Sequence, residues 1–216
     1  MSFPSDWVVS KENGSTGVDL EGTTPIISGG SLFVDAVMAP ERVSLYNTTY
    51  PFGQTAGLIR SIMQVVDLTT TGAERAGFTF MQNSPTLYGP TDIGYGAFMS
   101  GTNGFGSPRI AIVKFTTGLP ATPTELAFTT SFTAPTLGSN FVFEVQWDAD
   151  LGMFGGTLIT VRYGTGTSFG SLADVVTFTD TSSPIITSAY ESLAFSFFGT
   201  GHFRTLFDET YIYQAI

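Results

Sequence analysis

The sequence predicts an all-β protein, and two observations carry that prediction. Glycine and proline supply 25 and 11 of the 216 residues, and their scatter along the chain limits the length of any helix, because both residues interrupt helices. Between them lie runs rich in threonine, valine, isoleucine and phenylalanine, which favour strands. Several runs alternate apolar with polar residues, so that one face of each strand would be buried. We therefore expect one domain of short antiparallel strands joined by turns.

The alternating runs predict the strands in chain order. A first strand follows the turn at Gly29-Gly30, and the clearest alternation lies at 141–147, where the odd-numbered residues are large and apolar. The weakly patterned loop at 83–108 holds one short strand at 95–99. The predicted strands outside this loop are 31–37, 76–80, 109–115, 141–147, 157–163, 174–179, 192–198 and 205–213.

Residues 58–68 are a stretch that a helix could also accommodate. The polar residues at 60, 61, 64 and 67 suit either structure. The Val65-Val66 pair favours a strand, because β-branched side chains lose rotational freedom in a helix. We therefore predict a strand here as well.

Composition and charge exclude several classes of site and partner. The absence of cysteine excludes disulfides, thiol nucleophiles and cysteine-ligated zinc, and the single histidine, His202, excludes a site built from two imidazoles of one chain. With 18 acidic against 8 basic residues, the chain lacks the basic surface that binds phosphate backbones, so we expect no nucleic-acid partner. No segment approaches the roughly 20 apolar residues of a membrane span, and the first residues lack the pattern of a secretion signal. We expect no membrane partner.

The order of the later strands resembles the concanavalin A-like lectin/glucanase (laminin G-like) superfamily. The residues that carry this resemblance are 109–115, 141–148, 156–163 and 193–201, closing on 207–213. The resemblance implies an antiparallel β-sandwich of the jelly-roll type. We expect residues 25–216 to form this domain. The polar, glycine-rich segment 1–24 would be an N-terminal arm that anchors the domain to a scaffold.

Two acidic motifs were considered as sites. Glucanases of this superfamily carry Glu-x-Asp-x-Glu on one strand. The nearest match here, Glu144 to Asp148, lacks the central aspartate and the second glutamate. We therefore predict that the protein is not an enzyme and that Glu144 is solvated. Asp148-Ala-Asp150-Leu-Gly152 begins like a calcium loop, but its later acidic ligand is missing. A turn is therefore favoured, and we expect no cofactor; calcium at Asp148 and Asp150 is the alternative.

The sequence leaves two main functions open, and the third alternative is a degenerate or unrecognised glycanase that uses Glu144. The chain has no cysteine and only two lysines, a profile that resembles decoration or fibre proteins of tailed-phage virions. This resemblance implies a non-enzymatic virion protein, in particular a capsid decoration protein, that forms homo-oligomers and contacts a capsid or tail subunit. The alternative is an extracellular, lectin-like module that binds a cell-surface glycan, for example in a tail fibre. It predicts an exposed platform of Tyr88, Tyr95 and Phe105 beside Asp92 and Asn103, although these rings could instead pack within their loop.

Overall fold

The computed structural model describes most of the chain, and the residues that it describes form fourteen strands and one short 3-10 helix, Phe169–Ser171. The described residues are 7–11, 26–28, 31–36, 41–47, 55–68, 73–100, 108–120, 123–149, 155–186, 190–198 and 203–214. The strands are β1 (Trp7–Lys11), β2 (Ile26–Ser28), β3 (Ser31–Ala36), β4 (Glu41–Asn47), β5 (Ala56–Leu68), β6 (Ala73–Gln82), β7 (Gly94–Ser100), β8 (Arg109–Phe115), β9 (Thr124–Thr129), β10 (Asn140–Asp148), β11 (Thr157–Thr165), β12 (Ala173–Asp180), β13 (Tyr190–Phe198) and β14 (Phe203–Gln214). Within these ranges no helix is long and apolar enough to cross a membrane.

The strands form two seven-stranded sheets in which every pair of neighbours is antiparallel. The order in sheet I is β1-β4-β13-β6-β7-β8-β9, and the order in sheet II is β12-β11-β10-β5-β14-β3-β2. The pairings that carry these orders join strands distant in sequence, such as β4 with β13 and β5 with β14. The predicted all-β, antiparallel sandwich is confirmed.

The core lies between the two sheets and is built largely from aromatic side chains. Phe78 and Phe80 on β6 of sheet I face Phe143 and Trp147 on β10 of sheet II, and all four are buried. The ring centroids of Phe78 and Phe143 lie 5.5 Å apart, and those of Phe80 and Trp147 lie 5.0 Å apart. Such pairs add to the free energy that apolar burial already provides.

The predicted strands are found where the alternation placed them, including the ambiguous one. Residues 58–68 fall inside β5, and the short strand at 95–99 falls inside β7. Four strands were not predicted: β1, β2, β4 and β9. β1 lies inside the segment expected to be an arm, and its five residues pair with β4 as the edge of sheet I. An anchoring role for residues 1–24 stays a prediction.

A buried ion pair joins the two sheets at one end of the sandwich. Lys114 Nζ on β8 lies 2.6 Å from the carboxylate of Asp180 on β12, and the side chains are 12% and 3% exposed. The Tyr95 hydroxyl on β7 donates to the same carboxylate oxygen at 2.7 Å and accepts a hydrogen bond from the Ile185 backbone N–H. Burial alone would raise the pKa of Asp180, but the hydrogen bonds from Lys114, Tyr95 and the Ser182 N–H together hold it below its usual value.

The exposed position expected for Tyr95 is therefore wrong. The side chain is 0% exposed, and its ring stacks on Phe80 with centroids 5.8 Å apart. Burial, followed by the hydrogen bond to Asp180, raises the pKa of Tyr95. Tyr95 packs in the core and completes the ion pair instead of offering a surface to a ligand.

We expect Asp180→Asn to lower the free energy of unfolding by about 3 kcal/mol at pH 7, because it leaves the Lys114 ammonium without its buried counter-charge. The pKa of Asp180 is lower in the folded than in the unfolded chain, where it is about 3.9. The stabilisation is thus present above about pH 4 and is lost as the pH falls through the folded pKa. Urea unfolding of both proteins between pH 7 and pH 2 measures the difference.

Asp174→Asn is the matched control, since it removes the same charge from β12 at a side chain that is 63% exposed. It should cost less than about 1 kcal/mol. Equal losses in the two variants would contradict the role given to the buried pair.

Candidate functional site

The loop that was expected to carry a binding platform is folded on itself. Asp92 is only 5% exposed, and its carboxylate accepts hydrogen bonds from the Thr86 hydroxyl and from the Gly89 backbone N–H, the latter at 2.7 Å. Tyr88 is half-buried, and its hydroxyl lies 3.2 Å from Ser10 Oγ on β1. Asp92 holds the loop together, so the exposed position expected for it is wrong, and a contact of Asp92 with a ligand stays a prediction.

Of the remaining predicted site residues, the structure describes Asp148. Asn103, Phe105 and Asp150 lie outside the described residues. Asp148 is half-buried at the end of β10. No group of three metal-ligating side chains occurs among the residues described. Calcium binding at this turn stays a prediction.

A row of charged side chains crosses the outer face of sheet II, the face turned away from the core. Cross-strand register places Tyr211 of β14 opposite Arg60 of β5, Arg60 opposite Glu144 of β10, Glu144 opposite Arg162 of β11, and Arg162 opposite Asp174 of β12. Residues in such a row lie on one face and are close enough to interact. This row forms the polar floor of the candidate site.

Glu144 is the buried member of the row. Its side chain is 4% exposed, and Oε1 accepts a hydrogen bond from Arg162 Nη1 at 2.7 Å. Arg162 Nε donates to Asp174 at 2.7 Å, and these two hydrogen bonds raise the pKa of Arg162. Glu144 does lie on the outer face, as predicted, but the expectation that it is solvated is wrong. A carboxylate held in this way is poorly placed to act as an acid or a nucleophile.

A bulge in β14 turns two tyrosines onto this face. Asp208 pairs with Ile62 and Tyr211 pairs with Arg60, so β14 uses one more residue than β5 over this interval. Glu209, inside the bulge, has a φ of +42°. An extra residue reverses the alternation of a strand, because successive side chains point to opposite faces. Tyr211 and Tyr213 therefore point outward.

Ser61 of β5 accommodates the bulge from the core side. Its Oγ lies 2.8 Å from the Asp208 carbonyl oxygen and 2.9 Å from Thr210 Oγ1. The Glu209 backbone N–H donates to its neighbour's carboxylate, Asp208 Oδ1, at 2.9 Å. Polar groups at the bulge that do not pair with the neighbouring strand thus still have hydrogen-bond partners. This avoids the free-energy cost of unpaired backbone groups in the irregular segment.

Arg60, Phe169, Tyr211 and Tyr213 form what we call the aromatic–arginine cluster. The Arg60 guanidinium lies 4.5 Å from the Phe169 centroid, 5.3 Å from that of Tyr211 and 5.2 Å from that of Tyr213. Its Nη2 donates to the Tyr213 hydroxyl at 3.1 Å. The tyrosine rings are within 15° of parallel, with centroids 6.1 Å apart, and they are 41% and 45% exposed.

The loop at 166–172 forms a wall beside the cluster. A side chain at Gly164 would collide with the Ser171 carbonyl oxygen, 2.6 Å from the position of a Cβ, so the loop can lie directly on β11 only because residue 164 is glycine. Within the loop, Ser171 Oγ donates to the Ser168 carbonyl at 2.7 Å. The Phe169 ring then reaches Tyr211 edge-on, with centroids 5.7 Å apart.

The cluster was missed by the sequence analysis for an identifiable reason. Strict alternation through 205–213 assigns Tyr211 and Tyr213 to the same face as Phe207, which is buried. The sequence around Glu209 carries no glycine that would mark a bulge. The Tyr-x-Tyr spacing at 211–213 does predict that both rings lie on the same face of the strand, although it does not predict which face.

Comparison with known proteins shows likeness in structure only. No family model and no curated protein matches the chain. Similar solved structures include a legume lectin-like domain from Entamoeba histolytica, with a TM-score of 0.61, 9% identity and coverage of 98% of this chain and 91% of that one. The carbohydrate recognition domain of Emp47p has a TM-score of 0.61 and 10% identity, covering 100% and 91%.

A third similar structure is the exoplasmic/lumenal domain of VIP36 in its Ca²⁺/Man3GlcNAc-bound form, with a TM-score of 0.57, 14% identity and coverage of 98% and 84%. An enzyme, a bifunctional GH43-CE protein of Bacteroides eggerthii, matches with a TM-score of 0.56 and 14% identity, but 99% of this chain covers only 26% of it. At these identities the comparisons show the fold, which is a legume lectin-like β-sandwich.

We expect Glu144→Gln to lower the free energy of unfolding by about 2 kcal/mol, because it removes a buried charge that Arg162 neutralises. Chemical denaturation at pH 7 measures the effect. The control is Glu125→Gln, which breaks the ion pair with Arg109 on sheet I at a carboxylate side chain that is 24% exposed, against 4% for Glu144. This control should lose less than about 1 kcal/mol, and an unchanged Glu144→Gln protein would show that the buried pair does not stabilise the sheet.

Proposed function

We propose that this protein is a non-catalytic carbohydrate-binding module and that its ligand lies on the outer face of sheet II. The observation that carries the proposal is the exposed pair Tyr211 and Tyr213, held beside a guanidinium. Aromatic rings offer flat apolar surface to the C–H groups of a sugar, and nearby polar groups bind its hydroxyls. The aromatic–arginine cluster supplies both kinds of surface at one place.

The structural neighbours support the same class of ligand. VIP36 is seen with Man3GlcNAc and Ca²⁺, and the Emp47p domain is a carbohydrate recognition domain. A shared fold does not transfer a binding site, so the argument for this chain depends on its own residues. The prediction for the loop at 83–108 placed the site on a different surface; the site proposed here has the same chemistry.

The ion pairs of two carboxylates beside the cluster support binding without catalysis. Glycoside hydrolysis needs two carboxyl groups on opposite sides of the scissile bond. Glu144 is buried against Arg162, and Asp174 is bound to the other side of the same arginine. Both carboxylates that join this row are thus occupied in ion pairs.

The virion role inferred from composition stays a prediction. The neighbours named above include lectin-like domains and a GH43-CE enzyme but no capsid or tail protein. A sugar-binding module is compatible with an extracellular position or with a virion fibre that contacts a cell-surface glycan. Homo-oligomer formation and attachment to a capsid or tail subunit are further proposals that the binding experiment below does not address.

Tyr213→Ala and Tyr211→Ala should each weaken binding to the preferred glycan by about tenfold or more, because each removes a ring that stacks on the sugar. A glycan array identifies the ligand, and calorimetry with the purified glycan measures the affinities. Phe128→Ala is the control, since Phe128 is a 54% exposed ring on β9 of sheet I. An equal loss with Phe128→Ala, or no loss with either tyrosine variant, would place the site elsewhere.

A further inference from the structure

Arg60 has no carboxylate partner among the described residues of this strongly acidic chain. No carboxylate of the described residues forms an ion pair with it, and its hydrogen bond is the one from Nη2 to the Tyr213 hydroxyl. Other cations are neutralised: Lys114 lies 2.6 Å from Asp180, and Arg162 lies 2.7 Å from Glu144. The chain has 18 acidic residues for 8 basic ones. A guanidinium at the surface that forms no ion pair with a described carboxylate is therefore unexpected.

The outer end of the Arg60 guanidinium has N–H groups that can donate to a ligand. Nε is buried and has no hydrogen-bond partner, so the inner edge of the group is closed to solvent. Nη2 uses one hydrogen on Tyr213, which leaves its second hydrogen and both hydrogens of Nη1. Two parallel N–H groups at the end of an arginine match the two oxygens of a carboxylate.

The two carboxylates in the same cross-strand row do not cancel this charge. Glu144 lies opposite Arg60 but is bound to Arg162, so that the two together are neutral. Asp174 lies on β12, three strands from β5, which is about 14 Å at the usual strand spacing. Charges at that distance are largely screened at physiological ionic strength, where the Debye length is about 8 Å.

We infer that the ligand is an anionic glycan, and that Arg60 binds a carboxylate of a uronic acid or a similar acidic sugar while Tyr211 and Tyr213 contact the sugar ring. This inference rests on the proposed function and narrows its ligand class. The rings beside Arg60 exclude water from the guanidinium faces, which strengthens a contact made at its end.

The test uses calorimetry with oligogalacturonates of about ten residues and the same oligomers after full methyl esterification, which removes the carboxylate charge and keeps the sugar chain. The wild-type protein should bind the acidic form at least about tenfold more tightly. Arg60→Gln should lose that preference, and Arg60→Lys, which keeps the charge without the planar end, should retain only part of it.

Arg109→Gln is the matched control. It removes the same charge from the chain, and Arg109 also lies over an aromatic ring, 4.9 Å from the Phe128 centroid, but on sheet I. Its affinity for the acidic oligomer should equal that of the wild type, which separates a local contact from the effect of net charge. Thermal unfolding of each variant shows whether it is folded. The comparison of the acidic and esterified oligomers uses wild-type protein, so it does not depend on the folding of any variant.

The outcomes distinguish the two proposals. Preference for the acidic form that Arg60→Gln abolishes and Arg109→Gln keeps supports the inference. Equal binding of acidic and esterified forms, lost with Tyr213→Ala, overturns the anionic ligand and leaves the proposed function standing. A preference that both arginine variants reduce equally also overturns it. If neither these oligomers nor any glycan on an array binds, the proposed function fails and the inference fails with it.

Discussion

Burial of one face of each sheet against the other is the constraint on which the rest of the molecule depends. Phe78, Phe80, Phe143 and Trp147 meet between the sheets, and each can do so only if its strand keeps its alternation in register with its neighbours. The opposite alternates must then point outward. In this way the core decides which side chains of β5, β10 and β11 share the outer face of sheet II.

The aromatic–arginine cluster forms on the outer face because one bulge interrupts the alternation of β14. Without the extra residue near Glu209, Tyr211 and Tyr213 would point into the core, where Ile59 and Ile212 already pack. A non-glycine residue at positive φ costs roughly 1–3 kcal/mol, and Ser61 supplies hydrogen bonds at that point. Bulges and strained backbone positions of this kind are frequent at functional sites in proteins generally.

The cations Lys114, Arg162 and Arg60 lie in two kinds of environment, buried ion pairs and a cluster of aromatic rings. Lys114 and Arg162 lie against buried carboxylates, where they stabilise the contact between the sheets and the middle of sheet II respectively. Arg60 instead lies among rings, with which a guanidinium interacts favourably while it keeps hydrogen-bond donors for other partners. Arg60 is therefore separate from both buried ion pairs, and a change at Arg60 need not disturb them.

The sequence by itself determined the fold class and most strands, because alternation in segments such as 141–147 reflects burial of one face and needs no knowledge of the partner strand. It also showed that Glu144 lies on an outer face. Only the tertiary structure decided that Tyr95 is buried against Asp180, that Asp92 holds its own loop, and that Tyr211 points outward beside Arg60. These outcomes depend on contacts between residues up to about 150 positions apart and on a single bulge, and local pattern contains neither.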